Sequence, residues 1–173
     1  MSWVLGLGWS MVVLAAWFGW GELVAQAVGR RDADLGLKGG WGMAALCVAG
    51  GPLVALGAAT QGVILGLTVI GAAAALTLVP RRAWSLPLFL AFALLAVHLA
   101  LYVSASSMDC ADDLMAYLPL IKRMLATGAL DEPFSLRRLA AFGGHSLLQA
   151  MVLTVADDRA LAVVEHGLAP VVV

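Results

Sequence analysis

The chain has 173 residues, 62% of them hydrophobic and 12% charged, with a formal net charge of −1 and a mean hydropathy of +0.97. A soluble domain is nearer half apolar and a quarter charged, so this composition reads as an integral membrane protein. The near-neutral charge argues against a nucleic-acid partner, because no basic face is available to neutralise phosphates.

The opening "MSWVLGLGWSMVVLAAWFGW" lacks the basic start of a signal peptide, and its apolar run outlasts a signal core, so it predicts a retained first span over roughly 3–26. Three further apolar stretches, roughly 41–60, 62–79 and 84–104, approach the about 20 residues that a bilayer requires. The runs are continuous, whereas barrel strands alternate, so helices are expected. Gly and Ala crowd the second and third stretches, which predicts that these two pack together, and Pro52 predicts a kink in the second. Glu22 reads as a side chain reaching for the interface at the end of the first stretch.

Arg30, Arg31 and Lys38 fall in the first connection and Arg81 and Arg82 in the third; the N-terminal tip and the "TQG" turn carry no Lys or Arg. The positive-inside rule then puts both basic connections in the cytoplasm. The N-terminus and the segment after the fourth stretch (105–135) face outward, to the periplasm if the membrane is a bacterial inner membrane. Trp17, Trp20, Trp41 and Trp84 are expected at the interfacial depth on the basic side. His98, inside the fourth stretch, is an intramembrane ionisable group, read either as a ligand for a haem or pigment or as an interhelical hydrogen bonder.

Beyond residue 105 the character changes. "SSMDCADDLMAYLPL" gathers Asp109, Asp112 and Asp113, and then Leu114, Leu118, Ile121 and Leu125 recur at helical spacing. Lys122 and Arg123 stand off that face and Gly128 supplies a stop, so the pattern predicts an amphipathic helix lying on the membrane surface. Asp109 as N-cap, with Asp112 and Asp113 in the first turn, would be stabilised by the helix dipole by about 0.3–1 kcal/mol each. The same carboxylates are equally placed to take a proton from a hydroxyl or to hold a divalent cation such as Mg²⁺ or Mn²⁺. Glu132-Pro133 predicts a turn, with Asp131 and Glu132 solvated, and Ser135 a cap. The segment "LRRLAAFGGHSLLQAMVLTVA" is either a fifth span or a helix packed on other parts, and Asp157-Asp158 open a last helix. The chain stops on valines without a polar tail, which predicts a longer protein. Cys47 and Cys110 form neither a metal spacing nor an expected disulfide.

The stretch "DCADDLMAYLPLIKRMLATGALDEPFSLRRLAAFGGHSLLQA", residues 109–150, resembles the first outer loop of bacterial multi-spanning glycosyltransferases of the C-type fold, the GT-C superfamily. The shared features are a short acidic motif after a transmembrane helix, an amphipathic helix carrying a Tyr, and an L-x-x-G step, here Leu125 to Gly128. The resemblance implies that one of Asp109, Asp112 and Asp113 is the catalytic base. It would deprotonate an acceptor hydroxyl that attacks the anomeric carbon of a sugar carried on a polyprenyl phosphate. Arg137 and Arg138, a basic pair expected outside, would then bind the phosphate leaving group. The expected architecture is all-α: a polytopic bundle of four transmembrane spans (1–104), an outer-face acidic loop with an amphipathic helix (105–135), and one or two further helices (136–173). The competing reading from another class is a non-catalytic accessory or scaffolding subunit, its Gly/Ala-rich helices docked on other membrane helices. A transporter fragment, with helices broken at Pro52 and Gly143-Gly144, is the third.

Overall fold

The computed structural model describes residues 3–79, 86–105, 118–130 and 144–167. Among the described residues every regular element is helical: α1 (Trp3–Ala27), α2 (Leu35–Ala55), α3 (Gln61–Leu78), α4 (Leu86–Ala105), α5 (Leu118–Thr127), α6 (Gly144–Leu153), a 3₁₀ turn (Asp158–Leu161) and α7 (Ala162–His166). Two of these, Val4–Ala27 in α1 and Gln61–Leu78 in α3, are long and apolar enough to cross a membrane. Helix α2 has comparable length, but Lys38 and its many glycines dilute its hydropathy.

Helix α2 begins about six residues before the apolar pattern does, because Asp34 caps it. The Asp34 carboxylate accepts the Leu37 backbone N–H at 2.8 Å and satisfies a donor that the first turn cannot. Lys38 is therefore not a loop residue; it belongs to the first turns of α2 and is buried.

The expected pairing of α2 with α3 is corrected by the structure: both pack on α1 rather than on one another. Gly19 and Gly21 of α1 are two residues apart, about 200° around the helix, so they open two different faces. A Cβ on Gly19 would overlap the Gly71 backbone of α3, and one on Gly21 would overlap the Lys38 carbonyl of α2. Gly42 returns the second contact, resting against the Trp17 carbonyl. In lipid, where helices gain nothing from expelling water, such close backbone approach is a main source of attraction. The small residues that marked α2 and α3 in the sequence thus serve a common partner.

Helices α5 to α7 pack against this frame. Gly128 ends α5 at φ +83°, a conformation open to glycine, and its carbonyl accepts the Ala59 N–H at 2.9 Å. Helix α6 lies against α2, α5 and α3 and is fastened through its C-terminal carbonyls. The Met151 carbonyl accepts the Trp9 indole N–H at 2.9 Å and the Thr154 hydroxyl at 2.7 Å, and the Thr154 carbonyl accepts the Gln61 amide at 2.9 Å. These carbonyls have no partner within the helix, so side chains of α1 and α3 supply one. Asp157 then occupies the N-cap position of the 3₁₀ turn, as its sequence suggested, and α7 packs on α4. One core results, in which Val13, Leu14 and Trp17 of α1 meet Leu147 and Met151 of α6 and Val163 of α7. The outside of the bundle is apolar as well: Leu76 is 82% exposed, Leu94 71% and Leu101 64%.

Candidate functional site

Asp109, Asp112, Asp113, Arg137 and Arg138 lie outside the described residues, as do Arg81, Arg82, Trp84, Cys110, Leu114, Asp131, Glu132 and Ser135. What is described is the helix that follows the acidic stretch. In α5, Leu118, Leu120, Ile121 and Met124 are buried, Lys122 and Arg123 are exposed, and the helix stops at Gly128. The amphipathic pattern is therefore real, but its apolar face meets protein: α5 packs on α6 and is tied to the α2–α3 turn. Helix α2 measures how far this lies from the basic connection. Arg30 and Arg31 are exposed just before its N-terminus, and Gly57, against which Gly128 rests, is just past its C-terminus. The 21 residues between them rise about 31 Å, close to the about 30 Å of a hydrocarbon core.

The strongest polar constellation among the described residues was not foreseen. Lys38 Nζ stands 2.8 Å from Glu22 Oε2, with the two side chains only 7% and 5% exposed. Gln26 Nε2 donates to Glu22 Oε1 at 3.2 Å, and Lys38 Nζ donates to the Arg31 carbonyl at 2.9 Å. Glu22 therefore does not reach for the interface; it is turned inward and neutralised by α2. Gly21 makes this geometry available, since it allows the Lys38 backbone to lie directly on α1. The arrangement holds two opposite charges dry and in register and leaves neither facing an open cleft, which suits a clamp between α1 and α2 better than proton transfer to a substrate.

His98 is exposed on α4, and its ring meets that of His166 of α7 edge to face, with centroids 5.5 Å apart and planes at 72°. That contact joins α4 to the C-terminal helix, and among the described residues no group of three His, Cys, Asp or Glu side chains converges as a metal site. Of the tryptophans expected at interfacial depth, Trp17 is fully buried against neighbouring helices, Trp41 is half-buried, and the Trp20 indole donates to the Leu67 carbonyl of α3 at 2.9 Å. No protein-family model matches this chain, and neither does a curated protein or a solved structure.

Proposed function

We propose that this chain is a multi-pass inner-membrane protein in which α1 to α4 cross the bilayer with the N-terminus and residues 105–135 on the periplasmic face. On this reading it acts as a glycosyltransferase that takes its sugar from a polyprenyl-phosphate donor. The supporting observation is the separation along α2: the helix downstream of the acidic stretch packs at one end, and the exposed Arg30 and Arg31 stand at the other. The length of α2, about a bilayer's thickness, lies between Arg30 and Arg31 and the Gly128 end of α5, which supports a topology with basic and acidic loops on opposite faces. The apolar exterior of α3 and α4 suits lipid on the outside of the bundle.

One carboxylate of Asp109, Asp112 and Asp113 is the general base for the acceptor hydroxyl, and Arg137 and Arg138 offset charge on the departing phosphate. Asp109→Asn, Asp112→Asn and Asp113→Asn, each in the full chain in membranes supplied with a polyprenyl-phosphate sugar, test this. Loss of a positioned base lowers transfer by about 10²–10⁴-fold in at least one variant. Unchanged transfer in all three would refute the catalytic reading and leave a non-catalytic subunit of a larger membrane complex.

A further inference from the structure

A cavity of about 280 Å³ opens between α1, α3 and α4 at the end of the bundle that carries the basic connection. Ala15 and Phe18 of α1, Leu35 of α2, Leu76 of α3, and Phe89 and Phe92 of α4 are among its walls. Its side-chain lining is apolar throughout, aliphatic and aromatic carbon with the Met11 thioether, and the Phe18 and Phe92 rings meet edge to face at 5.6 Å along one side. Water needs two to four polar partners to stay in such a space, and this lining supplies almost none; apolar cavities of about half this volume stay dry and accept hydrocarbon.

Two features bear on what would fill it. The walls run out onto the apolar exterior, where Leu76 is 82% and Phe89 66% exposed, so the cavity is continuous with the surface that lipid tails would cover. Leu35 is also the first residue of α2, directly after the connection that holds Arg30 and Arg31. Both arginines are exposed, and the ion pair that Arg30 makes among the described residues, with Asp32 at 3.7 Å, leaves both side chains largely in solvent. A pair of that exposure is a weak competitor for a phosphate. From Ala27, the last residue of α1, to Ala15 the helix rises about 18 Å, close to the half-thickness of a hydrocarbon core, about 15 Å.

We propose that this cavity holds part of one acyl chain of an anionic phospholipid of the cytoplasmic leaflet, with Arg30 and Arg31 at its headgroup. The inference rests on the membrane reading above but not on catalysis, and the cavity lies toward the opposite end of α2 from Gly57, against which Gly128 rests.

The test uses the full chain, delipidated in mild detergent and titrated with palmitoyl-oleoyl phosphatidylglycerol or the matching phosphatidylcholine, with bound lipid counted by native mass spectrometry. The wild type retains one phosphatidylglycerol at least tenfold more tightly than phosphatidylcholine. Ala15→Phe and Leu76→Phe, from two different walls, each weaken retention at least tenfold, and Arg30→Gln with Arg31→Gln abolishes the preference between the two lipids. Because Ala15→Phe risks misfolding, Leu76→Phe at the exposed rim carries the test if only one variant keeps its unfolding transition. Wild-type retention in the folded variants, or equal binding of the two lipids by the wild type, would overturn the proposal. Alkaline extraction of membranes separates this from the reading beneath it: a chain that stays in the membrane pellet but ignores the variants sinks the lipid site alone, and a chain released to the supernatant sinks the membrane reading.

Discussion

Replacing Lys38 by Met keeps an unbranched stem and removes the charged end, leaving Glu22 buried with Gln26 as its remaining side-chain donor. An uncompensated buried charge of this kind costs about 3–5 kcal/mol. Glu22→Leu strands the Lys38 ammonium in the same way, with the Arg31 carbonyl as its remaining partner. The double variant removes both charges together. It recovers most of the loss, because an apolar pair of similar volume is neutral or stabilising by about 1–4 kcal/mol relative to a buried ion pair. For a chain of this size each kcal/mol moves the midpoint by roughly 2–4 °C, so the single variants fall by about 6–20 °C while the double variant stays near wild type. Thermal unfolding in a mild detergent, followed by tryptophan fluorescence, measures the three shifts. Additive losses, or single variants within about 2 °C of wild type, would refute the claim that Glu22 and Lys38 form a dry clamp between α1 and α2.

Glycines that meet neighbouring backbone should respond differently from glycines that do not. Gly19→Val and Gly42→Val force α1 away from α3 and α2 and cost about 1–3 kcal/mol, whereas Gly66→Ala, with open space beside it, gains about 0.5–1 kcal/mol in the same unfolding assay. Gln61→Leu leaves the Thr154 carbonyl without its amide donor and destabilises by about 1–3 kcal/mol; hydrogen exchange at α6 amides rises with it, and unchanged exchange would show that α3 does not fasten the end of α6.

The helices themselves were legible, because apolar runs of bilayer length and the Gly128 stop are local signals that tertiary contacts did not override. The partners of those helices were not. Density of Gly and Ala says that a helix is approached closely, but which neighbour approaches depends on the direction each glycine faces, and α1 offers one glycine to each side. The Glu22–Lys38 pair was hidden by treating charges as properties of loops. The signal was present all the same: residues 22 and 38 are equidistant from position 30, as residues facing each other across an antiparallel hairpin must be, and Trp17 and Gly42 follow nearly the same rule. Asp34 as N-cap also shows where α2 begins, ahead of its apolar run. The neighbours of Trp17 and Trp20 were equally illegible: the Trp20 indole bonds the Leu67 carbonyl of α3, whereas Trp17 is enclosed by packing, with no acceptor for its indole N–H among the described residues.

The central claim, that the acidic stretch and the basic connection stand on opposite faces of a membrane, is tested most directly at Cys110, which sits between Asp109 and Asp112. With Cys47, the other cysteine, replaced by Ser, a membrane-impermeant maleimide added to intact cells with a permeable outer membrane has a single target in the chain. The account predicts full labelling before the inner membrane is opened. Labelling only after the inner membrane is opened would put Asp109, Asp112 and Asp113 in the cytoplasm and contradict it.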